Sequence, residues 1–241
     1  MNRWNLFLKK IYRTLEQLDC PDPFFRGHSN SNWKLLPGLA RQNADAYVEN
    51  RLYYRFTSLG SHLFPPNSTT WDILFLMQHY GIPTRLLDWT ANFSVALYFA
   101  IKNCESEGAI WILNPYQLNL KTNNEWGLYH LNNDFPIGYH DYFIEGRSDT
   151  FGSFPASVIA IAGRSYDNRM RSQRGVFTLH RDLEKPLEKL HSKALRKIVV
   201  PQDIVNDAKK FLRLSGINEY SLFPDLDGLA RYLVSEDVVK D

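Results

Sequence analysis

The chain has 241 residues, 44% of them hydrophobic and 14% aromatic, with 28 basic against 26 acidic side chains. That length suits one large domain with a substantial core, and a net charge of +2 singles out no charged partner. Cys20 and Cys104 stand at no metal-ligand spacing, which argues against a zinc ribbon or disulfide scaffold. The longest apolar run, Val95 to Ile101, falls far short of a membrane span. With no signal-peptide pattern, the expectation is a cytoplasmic protein with no membrane contact and no metal site.

Trp4, Phe7, Leu8, Ile11, Leu15 and Leu18 recur at helical spacing, so residues 1–20 read as an amphipathic helix stopped by Pro21 and Pro23. Phe24 to His28 reads as a short strand, Asn30 to Gly38 as a loop, and residues 44–63 as a helix broken by Pro65 and Pro66. Thr69 or Thr70 caps the next helix, with Asp72 in its first turn; Gly81 ends it in a left-handed conformation and Pro83 forbids its continuation. Thr84 to Trp89 is then a strand, and Asn92 caps a helix over Ser94 to Ile101. Further strands are expected at Ala109–Leu113, Val158–Ala162, Gly175–His180 and Leu195–Val200, with 114–156 an irregular insertion and 202–235 a helical C-terminal part.

Two arginines interrupt apolar strands. Arg26 stands between Phe25 and Gly27, and an arginine there needs a carboxylate or an anionic ligand, while the glycine admits a ligand or another backbone. Asp88 is one candidate partner. Arg85 either pairs with Asp88 to fix the turn or joins His79 and Asp88 in a site. Arg164, Arg169, Arg171 and Arg174 form the concentrated basic patch, read as a solvated loop or as a contact for a nucleic-acid or protein acceptor.

Four blocks carry a resemblance: Phe25-Arg26-Gly27-His28; Gln78-His79-Tyr80-Gly81-Ile82-Pro83-Thr84-Arg85-Leu86-Leu87-Asp88-Trp89-Thr90 with Ala96-Leu97-Tyr98-Phe99-Ala100; Gln173-Arg174-Gly175-Val176-Phe177; and Leu222-Phe223-Pro224-Asp225-Leu226-Asp227-Gly228-Leu229. They resemble the FRG-domain family, which implies a single FRG-type domain over 1–241; Phe93 replaces the family's usual proline. The order of strands, hydroxyl and helices more loosely resembles the ADP-ribosyltransferase fold. That resemblance implies an α+β domain with a central mixed or antiparallel sheet, using NAD to modify a nucleic acid or protein, in toxin or phage-defence biology. It gives Arg26 the grip on NAD, with Gly27, His28, His79, Tyr80, Thr84, Arg85 and Thr90 around the nucleotide and Asp88 at the nicotinamide end. Gln173 stands where a glutamate is expected, so the missing carboxylate is sought at Glu219, Asp225 or Asp227, and the Gly175–His180 strand is expected beside the Arg26 strand. The alternatives are a nucleotide- or nucleic-acid-binding module without chemistry and, more weakly, a nuclease gathering Mg²⁺ with Asp88, Asp225 and Asp227.

Overall fold

A computed structural model describes residues 2–135, 138–144, 157–162 and 168–237. Helix α1 (Arg3–Leu18) begins where the Asn2 side chain accepts from the Asn5 N–H and ends at Asp19 in a left-handed conformation. Strand β1 (Phe24–His28) leads through α2 (Gly38–Arg41) to α3 (Ala46–Gly60), capped by Asp45. Helix α4 (Thr70–His79) opens with a full capping box between Thr69 and Asp72, and Gly81 at φ 79° terminates it, so both local signals act as expected.

Strand β2 (Leu86–Thr90) begins two residues later than its hydrophobicity suggests. Thr84 Oγ1 accepts from the Leu86 N–H at 3.0 Å, and this side-chain turn takes Thr84 and Arg85 out of the ladder. Asn92 caps α5 (Phe93–Ile101); β3 (Gly108–Leu113) follows. The stretch after it is not irregular at its start: Asn114 caps α6 (Pro115–Asn123) with proline in the first turn, followed by α7 (Leu131–Asp134) and a π turn at His140–Ile144. The rest of that expected insertion, from 145 to 156, and Arg164 lie outside the described residues. Strands β4 (Val158–Ile161), β5 (Gly175–His180) and β6 (Leu195–Val200) complete the sheet; helices Val205–Leu214, Glu219–Leu222 and Leu226–Asp237 end the described chain.

The architecture is α+β, with one antiparallel sheet in the order β4-β5-β2-β1-β3-β6. Strand β5 therefore lies beside β2, not beside the Arg26 strand as expected. Every residue of β1 from Phe24 to His28 is registered on β3, but β1 and β2 share one registered pair, Phe25 opposite Thr90. Beyond that rung the two central strands part. One face of the sheet carries two separate cores: α1, α5 and Val205–Leu214 pack on β1, β3 and β6, while α3 and α4 pack on β2, β5 and β4. A single cluster including Phe24, Leu87, Trp89, Trp111 and Val158 covers the opposite face.

Gly27 explains how α5 reaches the sheet. A Cβ on Gly27 would lie 1.9 Å from the Ala96 carbonyl oxygen and 2.6 Å from the Ala100 nitrogen, so it is the backbone of α5 that this glycine admits. Gly108 is similarly crowded, 2.3 Å from the Ala100 carbonyl oxygen. Gly27→Ala is therefore expected to lower stability by about 3 kcal/mol or more, since main-chain atoms cannot step aside. Gly81→Ala meets nothing within 4 Å and carries only the positive-φ penalty, of about 1–2 kcal/mol. Urea denaturation of the two variants checks the order.

Candidate functional site

The gap between β1 and β2 opens into a cavity of about 400 Å³. Arg26 and Gly27 from β1, Asp88, Trp89 and Thr90 from β2, Phe99 and Lys102 at the end of α5, and Arg169 and Gln173 line it, with Gln78 and Trp33 at its sides. A small annex of about 70 Å³ shares Gln78, Asp88, Trp89, Arg169 and Gln173 and adds His79, Met170 and the rings of Phe75 and Phe177.

Arg26 leaves its strand on the side of Phe24 and His28, and its guanidinium extends into the gap. Nε donates to His28 Nε2 at 3.0 Å, and Nη1 donates to the main-chain carbonyl of Asp88. Both acceptors are uncharged, and the nearest carboxylate oxygen, Asp88 Oδ2, is 3.9 Å away. Burial draws the guanidinium down to about 10, against the attraction of Asp88 and helped by the charge of Arg41. The side chain is 15% exposed, oriented by two hydrogen bonds, and left with N–H groups and positive charge for a ligand. Because Arg26 donates to His28 Nε2, His28 must be neutral with its proton on Nδ1. It therefore positions Arg26 from behind and does not face the cavity, contrary to a direct nucleotide contact.

Asp88 lies on the Leu86 face of β2, between Leu87 and Trp89, which point to the other side. Its side chain is 53% exposed and accepts from Gln78 Nε2 at 2.8 Å; Thr84 Oγ1 in turn donates to Gln78 Oε1 at 2.5 Å. Thr84 is thus a buried support for Gln78, not a ligand contact. Among the described lining residues Asp88 is the sole carboxylate. Thr90 lines the cavity, but its hydroxyl donates to the Gln173 carbonyl at 2.6 Å and accepts from Asn92 N–H, so it closes the base of the gap. The Gln173 amide donates to the Leu222 carbonyl at 3.1 Å and its side chain borders both compartments.

Several expected site residues lie elsewhere. Arg85 does not meet Asp88: it is buried against Glu49, with Nε and Nη2 each 2.5 Å from a carboxylate oxygen, and Tyr139 donates to the same carboxylate. Phe143 covers the guanidinium at 4.6 Å. Tyr80 is 70% exposed and packs edge-on against His79 outside both compartments. Glu219 is held by Tyr98, by Lys102 at 2.9 Å and by Arg231 at 2.9 Å; burial would raise its carboxyl, but these donors outweigh it and hold it low. Asp225 caps the last helix by accepting from Gly228 N–H, and neither it nor Asp227 borders the cavity. Among the described residues no group of three or more acidic, His or Cys side chains is placed to hold a metal ion, and of Asp88, Asp225 and Asp227 Asp88 alone borders the cavity.

Residues 22–108 match the family model described as the FRG domain. This stretch of the chain carries an FRG domain. The matched span supplies Arg26, Trp33, Gln78, Asp88, Thr90 and Lys102 to the cleft, and Arg169 and Gln173 of this FRG protein come from beyond it. No curated protein and no solved structure matches the chain significantly. Among the described residues no helix is long and apolar enough to cross a membrane. Trp33 and Lys102 carry no local signal of a site; two separate segments deliver them.

The two ion-pair environments separate by stability. Glu49→Ala strands a buried guanidinium, which costs about 3–5 kcal/mol and lowers the melting temperature by on the order of 10 °C. Asp88→Ala removes a half-exposed carboxylate and is expected to move it by less than about 3 °C. Differential scanning calorimetry reads both.

His28 and His180 are buried, and burial drives each from an ordinary 6.5 down to about 3. The unfolded chain takes up protons that the folded chain refuses. Their contribution is therefore fully present above pH 6.5 and lost progressively as pH falls towards 3. Melting temperature is expected to decline across that window, and His180→Asn to flatten the decline.

Proposed function

We propose that the cleft binds NAD and that this FRG protein is an ADP-ribosyltransferase-like enzyme acting on a nucleic-acid or protein acceptor. The observation that carries the reading is the placement of an under-neutralised, pre-oriented Arg26 and a single carboxylate, Asp88, across the gap between the central strands. A guanidinium fork recognises a pyrophosphate in two-point fashion, and its desolvation strengthens that attraction. The annex floored by Phe75 and Phe177, with His79 and the Gln173 amide at its sides, suits a flat, polar-edged ring such as nicotinamide.

On this reading Asp88 takes the part for which Gln173 lacks a charge. As the bond from ribose C1′ to nicotinamide breaks, its electron pair leaves with the ring, and the Asp88 carboxylate stabilises the positive ribosyl centre. An acceptor oxygen or nitrogen then bonds to C1′ from the open side and gives up its proton to Asp88. Gln78 holds the carboxylate through one hydrogen bond and is itself held by Thr84, which limits its reorganisation during the reaction. Arg171 and Arg174, both exposed beside the Gln173 rim, are the acceptor contacts on this reading, and catalysis proceeds by positioning and charge stabilisation.

The test is release of labelled nicotinamide from NAD in the presence of total nucleic acid and lysate protein. Asp88→Asn is expected to reduce turnover by about a hundredfold or more with KM nearly unchanged, and Arg26→Lys to raise KM. A binding module is the second reading, favoured by the uncharged Gln173 amide. Arg26-dependent NAD binding without nicotinamide release under any acceptor condition selects it.

A further inference from the structure

Phe223 lies outside every role so far assigned, yet three cations converge on its ring. Arg169 Cζ is 4.8 Å from the centroid, Lys102 Nζ 5.3 Å and Arg231 Cζ 5.5 Å. Lys102 and Arg231 both pair with Glu219, at 2.9 Å each, and share its one negative charge. Arg169 has no carboxylate within ion-pair distance among the described residues, and it borders both the main cavity and its annex. An arginine laid on an aromatic face keeps its N–H edge free for an anion, because the stack uses the plane and not the donors.

The surrounding sequence is spent on holding that ring. Asp225 Oδ1 accepts from Gly228 N–H at 2.6 Å, and a Cβ on Gly228 would lie 1.9 Å from the Phe223 carbonyl oxygen, so only glycine lets the last helix close on this corner. Phe99, another cavity residue, meets Phe223 edge-on at 6.4 Å, and the Gln173 amide ties the Leu222 carbonyl at 3.1 Å. The Leu222–Leu229 block thus supplies a platform, where the sequence had suggested a carboxylate.

We infer that Arg169, positioned by Phe223, forms a second anion subsite across the cleft from Arg26, which takes the second phosphate of a pyrophosphate-linked nucleotide. This rests on the nucleotide reading of the cleft and adds to it a residue and a division of labour. Arg26 holds one phosphate, and Arg169 makes the difference between a nucleoside monophosphate and a diphosphate. Phe223 acts through Arg169 and touches no ligand.

Calorimetric titration of the full chain with AMP and with ADP tests it. The unaltered chain is expected to bind ADP about tenfold more tightly than AMP, the effect of one further charge-assisted contact. Arg169→Gln should abolish that preference and leave AMP affinity unchanged. Phe223→Leu, which keeps apolar volume but removes the aromatic face, should do the same, while Phe223→Trp restores the preference. Equal affinity for the two nucleotides, or a Phe223→Leu chain of unchanged melting temperature that still prefers ADP, overturns the inference while the Arg26 reading stands. AMP binding that survives Arg26→Lys, or no binding of either nucleotide, removes the cleft reading and the inference with it. Arg169 is exposed, so its variant is informative even where a Phe223 variant fails to fold.

Discussion

The close approach of α5 to the sheet governs the rest of the molecule. Its main chain occupies the space where side chains of Gly27 and Gly108 would stand, and this pins the helix to β1 and β3. The helix cannot also cover β2, so β2 and β5 build a separate core with α3 and α4. Two cores on one face leave a seam, and the central strands part along it after the Phe25–Thr90 rung. Arg26 then completes the Asp88 carbonyl, which a continuous ladder would have satisfied with a main-chain donor. The cleft and its charge are both consequences of how one helix is seated.

Arg26 and Arg85 show how the same residue type serves opposite ends. Each interrupts an apolar stretch, and each is largely buried. Arg85 meets a bidentate carboxylate, a tyrosine hydroxyl at that carboxylate and a covering ring, so its charge is spent inside the fold. Arg26 meets a neutral imidazole and a carbonyl, and its charge remains available. A buried charge left short of partners is costly to the apo protein, and that cost is what a bound anion relieves.

Signals confined to a few consecutive residues were readable from the sequence. The Thr69–Asp72 box, the Gly81 stop and the Asn92 cap each depend on neighbours within four positions, and each stands where the chain implies. Partnerships across the fold were not. Glu49 stands three and seven positions before Leu52 and Phe56, on the apolar face of its helix, but nothing local names its partner, an arginine 36 positions later. Asp88, a predicted site residue, was legible through its motif; Trp33 and Lys102 were not, because a cleft wall has no period and no spacing. Glu219 and Asp225 were misread for the same reason. A carboxylate near a helix start is as suited to capping or ion pairing as to catalysis, and its neighbours in space decide the matter.

The single rung between β1 and β2 also sets where the sheet is softest. In a continuous sheet the centre is the last place to open, and amide protons there exchange slowest with solvent. Here the central line carries one registered pair, while the ladders on either side run the length of their strands. Protection should therefore fall to a minimum along the middle of the sheet and rise towards the β1–β3 and β2–β5 ladders. The two halves keep separate cores on one face and are joined on the far side by the shared cluster of Trp89, Trp111 and their neighbours.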